Sequence, residues 1–183
     1  MVFVDQSAES VAALDASATR WRIAATATAA DFVQNSAMPL SYPQAQSLIA
    51  AAHDHARAQG WTIAVAVVDE GGSLVALGRM DGAFPLASQI AEAKAAGTAL
   101  WHRDGERLAE SHEAHEGFFD AVGRLVRLPL IPGPGSVLIR DGDRVLGAAG
   151  ASGASGDDDR ACVEAGLSAV LGSRASESQS DWS

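Results

Sequence analysis

Residues 61–79, WTIAVAVVDEGGSLVALGR, decide the fold of this chain, because two apolar runs flank a turn that contains adjacent glycines. The first run extends from Trp61 to Val68 and is rich in β-branched residues, and the second extends from Ser73 to Arg79. Between them lies the sequence DEGG, in which glycine can adopt the positive φ that a tight turn needs. The stretch therefore predicts a β-hairpin.

A second hairpin is predicted further along the chain. Its strands are Ser136 to Ile139 and Arg144 to Ala149, and an Asp-Gly turn separates them. Residues 129–135 come directly before it and contain three prolines and two glycines, which predicts a loop.

The remaining segments have helical signals. Ser41 is a suitable N-cap for the first helix, and Gly60 is a suitable stop. Helices are predicted over residues 42–59, 85–101 and 157–171, with one or two short helices in 106–125. The order helix, hairpin, helices, hairpin, helix predicts an α+β domain with a central, mostly antiparallel sheet flanked by helices.

Composition and charge exclude several classes of function. The chain has 183 residues, which is enough for one core, and no run of 18 apolar residues that could cross a membrane. Its net charge of −10 argues against binding to nucleic acid or to an anionic membrane surface. Residues 1–15 lack the basic start of a secretory signal, and Cys162 is the single cysteine, so we expect a cytoplasmic protein.

Three segments are predicted along the chain. Residues 1–38 are an N-terminal helical extension, residues 39–172 are the folded domain, and residues 173–183 are a Ser-rich, disordered tail. The apolar side chains of the extension need a surface to cover, either on their own domain or on a neighbouring subunit. We therefore expect a homo-oligomer.

Several motifs resemble the GlcG/HbpS family. They are VVDEGGSLVA at 67–76, RMDGA at 79–83, Ser88, AKA at 93–95 and RDGDRVLGAAGASG at 140–153. The resemblance spans about Leu40 to Leu171. The same type of domain follows the adenosyltransferase domain in PduO-type corrinoid proteins.

The resemblance implies a profilin-like arrangement of sheet and helices, assembly into symmetric oligomers and a small-molecule ligand, with haem as the leading candidate cofactor. Family members commonly have a threonine shortly after the Lys-Ala pair. Here Gly97 stands at that position and Thr98 follows it.

Lys94 is the only lysine in the chain, and no acidic residue lies three or four positions from it on its helix. One interpretation is that it shares a polar pocket with Arg79, Asp81 and Ser88. The alternative is that it pairs with an aspartate or glutamate from another element. Asp69 and Asp81 are likewise either ligand-binding groups or turn formers.

Histidines supply a second set of candidates. His112 and His115 are spaced to share a helix face, so they could hold a metal or haem iron, or could simply be solvated. His102 follows Trp101 at a helix end, where the two could line the mouth of a pocket. The candidate catalytic residues are Lys94, Asp81 and His102, and the candidate ligand-binding residues are Arg79, Asp69, Ser88, Thr98 and Trp101.

Two functions fit these residues. The first is an oligomeric protein that binds a small molecule such as haem. The second is a cofactor-independent enzyme that uses Lys, Asp and His for acid–base chemistry in a pocket at a subunit interface.

Overall fold

The structure is a computed structural model that describes residues 40–180, and within them it describes side chains for residues 40–171. The predicted helical extension, residues 1–38, lies outside the described residues.

The first helix, α1, spans Tyr42–Gln59 and is capped at both ends as its sequence predicts. The Ser41 hydroxyl accepts from the Gln44 backbone N–H, and the Gln44 side chain accepts in return from the Ser41 N–H at 3.0 Å. Gly60 ends the helix with φ 78°, in the left-handed region that glycine adopts without strain.

Four strands form one antiparallel sheet. They are β1 (Ala64–Asp69), β2 (Leu74–Arg79), β3 (Ser136–Asp141) and β4 (Arg144–Ser152), in the spatial order β2-β1-β4-β3. Both predicted hairpins are confirmed, and β1 begins three residues after Trp61. In the centre of the sheet, Ala66 of β1 lies between Leu77 of β2 and Gly150 of β4. The predicted α+β class is confirmed.

Helix α2 (Ala87–Trp101) covers one face of the sheet at short range. Its Ala87 and Ala91 cluster with Ala64 and Ala66 of β1. A Cβ on Gly150 would lie 2.6 Å from the Ala91 carbonyl oxygen, so only glycine permits this approach.

The opposite face is covered by α1 and by the last helix, α5 (Gly156–Ser180). Gly78 of β2 faces Ile49 of α1, and Gly166 of α5 lies directly against Leu48 of α1. Two short helices, α3 (Gly105–Ala114) and α4 (Glu116–Gly123), follow α2 and confirm the prediction for residues 106–125.

The end of α5 differs from the prediction. The helix extends past Leu171 to Ser180, so most of the tail that we expected to be disordered is helical. Gly172 is the only strong helix breaker in residues 172–180, and one glycine costs about 1 kcal/mol without forcing a stop. Arg174, Ala175 and Glu177 are good helix formers and allow the helix to continue.

Within residues 40–180, no helix combines the length and the apolar character needed to cross a membrane.

Candidate functional site

Lys94 lies in a buried ion pair and not in the polar pocket of the first interpretation. Its Nζ is 3.3 Å from Oδ2 of Asp159 and 3.2 Å from the Ala151 carbonyl oxygen. The side chains of Lys94 and Asp159 are only 11% and 3% exposed, so neither charge has much access to water. The alternative interpretation, a partner from another element, is the correct one, because Asp159 belongs to the first turn of α5.

The second oxygen of Asp159 is also occupied, since Oδ1 accepts from the Ala154 N–H at 3.0 Å. Burial raises the pKa of Asp159, and the Ala154 hydrogen bond and the Lys94 charge oppose that shift. The pair therefore ties α2, the end of β4 and the start of α5 together.

The predicted meeting of Arg79, Asp81, Ser88 and Lys94 is wrong. Arg79 and Asp81 do line one cavity, next to the end of β2. Ser88 is half-buried on the first turn of α2 and does not line that cavity. The four residues were grouped from their order along the chain, whereas the Lys94 side chain extends toward β4 and α5.

Asp69 forms the turn between β1 and β2. Its Oδ1 accepts from the backbone N–H groups of Gly71 at 2.9 Å and Ser73 at 2.8 Å. The carboxylate thus satisfies the turn amides that an anionic ligand would need, which favours the turn-forming alternative.

Thr98 is fully buried, and its hydroxyl lies 2.7 Å from that of Ser136. This pair joins α2 to the start of β3 inside the protein. Its environment supports a structural role, and a ligand contact by Thr98 stays a prediction.

Aromatic side chains converge at the C-terminal end of α2. Trp101 stacks on Phe119 of α4, with ring centroids 4.4 Å apart and an interplanar angle of 17°. Phe118 meets Trp101 edge-on at 6.0 Å, and His112 meets Phe119 at 5.4 Å. We call Trp101, Phe118 and Phe119 the aromatic cluster.

Two cavities share Trp101 as a wall. The first, the glycine-turn cavity, has a volume of about 280 Å³ and lies between the β1–β2 turn, α2 and residues 125–130. The second, the His115 cavity, has a volume of about 350 Å³ and lies between Trp101 and the residues of α3 and α4. Because Trp101 belongs to both, the aromatic cluster is the centre of the candidate site.

The His115 cavity combines an apolar wall with polar groups at its rim. Phe118 and Phe119 form the wall, and His115, Arg103 and Glu110 supply the polar groups. Arg103 is held in place because its Nη1 donates to the Ser111 hydroxyl at 2.9 Å. The site therefore offers one imidazole and one guanidinium beside an aromatic surface.

The three candidate histidines have different positions. His115 lies at the break between α3 and α4, with φ −144°, so it is outside the helix that carries His112, and a metal or haem iron shared by the two stays a prediction. His112 packs on Phe119 instead. His102 ends α2 in a left-handed conformation, φ 52°, and is exposed. Among residues 40–180 no three His, Cys, Asp or Glu side chains are grouped to hold a metal ion.

Some site residues had no sequence signal strong enough to select them. Phe118 and Phe119 were part of a predicted helix, but no spacing rule connects them to Trp101 across the turn. Asp159 lies in the first turn of α5, where the helix dipole alone is enough to explain an acidic residue. No motif in the sequence marks His53, although Gly78 inside a strand is a signal of close approach by another group.

Comparisons with known proteins agree with this architecture. The family model described as "Haem degrading protein HbpS-like" matches residues 40–168. Protein GlcG of Escherichia coli strain K12 is 39% identical over 71 residues, which are 39% of this chain and 53% of GlcG, so the match spans about half of that relative.

Solved structures have the same fold. A double mutant of HbpS from Streptomyces reticuli is 25% identical with a TM-score of 0.65, over 73% of this chain and 88% of that one. The complex of PduOC with haem is 20% identical with a TM-score of 0.65, over 72% and 95% of the two chains.

Proposed function

Because the chain belongs to the HbpS-like family of haem-degrading proteins, we propose that it binds a planar, apolar anion of the haem type at the aromatic cluster. The observation that carries this proposal is the His115 cavity, where an exposed imidazole stands beside the stacked rings of Trp101 and Phe119. Haem needs one or two axial ligands and not the three-residue group that a bare metal ion requires.

The residues of the cavity fit a porphyrin in chemistry. His115 would hold the iron, since neutral imidazole is a common axial ligand. Phe118, 58% exposed, would pack on the face of the macrocycle, and Arg103 would pair with a propionate. When bound, haem would supply iron-centred redox chemistry, and the chain supplies ligation, orientation and an apolar wall.

The residues on which the acid–base enzyme hypothesis depends do not share one cavity. Lys94 is neutralised by Asp159, and Asp81 lies in another cavity with Arg79. His102 is an exposed helix-end residue that lines neither of the two cavities at Trp101. We therefore do not carry that alternative forward.

Titration with haemin tests the proposal. Parent protein should give a shifted Soret band that saturates at one haemin per chain, and His115→Ala should lose the band position typical of imidazole ligation. His102→Ala is the matched control, because it removes an exposed imidazole that does not line the His115 cavity, and its spectrum should equal that of the parent.

Phe118→Ala tests whether the apolar wall of the His115 cavity contacts haemin. It should weaken haemin binding several-fold with little change in the Soret position, since it removes packing and leaves the ligand to iron. A His115→Ala spectrum identical to the parent spectrum would refute the assignment of the ligand.

We also propose that the chain forms a homo-oligomer. Large apolar side chains remain exposed in the single chain, including Leu125 at 84% and Leu86 at 52%. A contact between subunits would remove such surfaces from water.

A further inference from the structure

A third cavity lies on the other side of the fold, and the proposed function does not use it. Its volume is about 530 Å³, and it lies between the C-terminal end of α1 and the end of β2. His53, Arg57, Trp61, Arg79 and Asp81 are among its lining residues, and we call it the α1–β2 cavity.

Two opposite charges share this cavity without pairing. Arg79 uses Nη1 to donate to the Ala83 carbonyl oxygen at 2.7 Å, which orients its guanidinium and leaves its other N–H groups available. Asp81 has no hydrogen bond or ion pair with any residue in the described part of the chain. A cation and an anion held apart on one cavity wall are complementary to a molecule that carries both charges.

A histidine, His53, and a tryptophan, Trp61, also line the α1–β2 cavity. Nε2 of His53 is buried, and among the described residues it has no hydrogen-bond partner, which is uncommon for a buried polar atom. Burial lowers the pKa of His53, and the nearby Gly78 backbone opposes the shift. Trp61 is half-buried and presents a ring beside these polar groups.

We propose that the α1–β2 cavity binds a small zwitterion, an α-amino acid with an apolar side chain. The carboxylate would pair with Arg79, the ammonium group with Asp81, and the side chain would pack on Trp61. Arg57 is the weaker second cation, because Asp54 on its own helix already pairs with it.

Calorimetric titration with L-phenylalanine and two analogues tests this site. Phenethylamine lacks the carboxylate and 3-phenylpropionate lacks the ammonium group. L-phenylalanine should bind at one per chain, about tenfold or more tighter than either analogue, since each lost charge-assisted contact has an effect of this size.

Charge-removing variants give the sharper result. Arg79→Gln should weaken L-phenylalanine about tenfold and leave phenethylamine unchanged, and Asp81→Asn should weaken L-phenylalanine and leave 3-phenylpropionate unchanged. Arg107→Gln, an exposed arginine on α3, is the matched control and should bind as the parent does.

The site is independent of the haem proposal, and the two can fail separately. His115→Ala should not alter binding of L-phenylalanine, and Arg79→Gln should not alter the haemin titration. Circular dichroism and melting of Arg79→Gln check the fold, and Asp81→Asn changes an exposed side chain that no described contact needs. The proposal is overturned if L-phenylalanine binds no tighter than its analogues, or if both charge variants bind it like the parent.

Discussion

Replacing Lys94 by methionine should destabilise the protein strongly, although the sequence alone suggests a change in ligand binding. Methionine keeps the length of the stem and removes the charge. Asp159 then remains as a carboxylate that is 3% exposed, with the Ala154 N–H as its hydrogen-bond donor. Removing one partner of a buried pair typically costs about 3–5 kcal/mol, because the other charge stays buried without compensation. For a chain of this size the melting temperature should fall by roughly 6–20 °C.

The loss of stability caused by Lys94→Met should be larger at neutral pH than at acidic pH. Burial already raises the pKa of Asp159 above its ordinary value of 3.8, and Lys94 opposes the shift, so Lys94→Met should raise this pKa further. A group whose pKa is higher in the folded protein binds the proton more readily when folded. It therefore stabilises the fold below the unfolded pKa, and this contribution is lost as the pH rises through the folded pKa. The destabilisation by Lys94→Met should accordingly shrink as the pH is lowered from 7 toward 4.

Urea unfolding of parent and variant at several pH values measures both effects. The double variant Lys94→Met with Asp159→Asn should recover much of the loss at pH 7, since it removes the stranded charge and keeps an acceptor for Ala154. Arg127→Met is the exposed control: it breaks the pair with Glu92, in which Arg127 is 67% exposed, and should cost less than about 1 kcal/mol. If Lys94→Met unfolds like the parent at pH 7, or if its deficit is constant with pH, this account of the pair is wrong.

Three further predictions follow from the packing and the charges. Gly150→Ala should lower the free energy of unfolding in urea by about 1–3 kcal/mol, because its Cβ would meet the α2 backbone. The control Gly117→Ala, in exposed α4, has open space and should raise that free energy by about 0.5–1 kcal/mol, and equal effects of the two changes would refute the close approach. The Cys162 thiol, whose pKa burial raises to about 11, should react with iodoacetamide at pH 8 about 100-fold more slowly than in urea, and equal rates would contradict its burial. Light scattering at micromolar concentration should give a mass above the 18.8 kDa of one chain, and a monomer mass would exclude the homo-oligomer.

Local chemistry made most of the fold predictable from the sequence. The cap at Ser41, the stop at Gly60 and the turns of both hairpins each depend on residues within a few positions of one another. Such local signals predict the structure correctly because the backbone conformation that they favour is also the one found in the tertiary structure. The end of α5 is harder to predict, because the Ser-rich composition of residues 173–183 favours disorder although residues 172–180 contain only one helix breaker, Gly172.

The candidate site was less predictable because its contacts join distant parts of the chain. Helical spacing relates Lys94 only to positions on its own helix, whereas Asp159 lies 65 residues further along. Likewise, the break at His115 removes the helical spacing that related it to His112. Residue types could be selected from the sequence, but the topology decides which of them meet.

The small residues of the core and the aromatic cluster are connected by the geometry of α2. Ala91 and Ala95 lie against Gly150, so the helix axis runs close to the sheet over its length. At the end of such a helix a large side chain finds no room beneath it, and Trp101 is accordingly only half-buried and extends past the core toward α4. The close approach of α2 to the sheet therefore leaves Trp101 at the end of the helix, where both cavities form. A core rich in alanine gives few large apolar residues from which to predict the fold. The same small residues let α2 approach the sheet closely, and this places Trp101 at the proposed haem site.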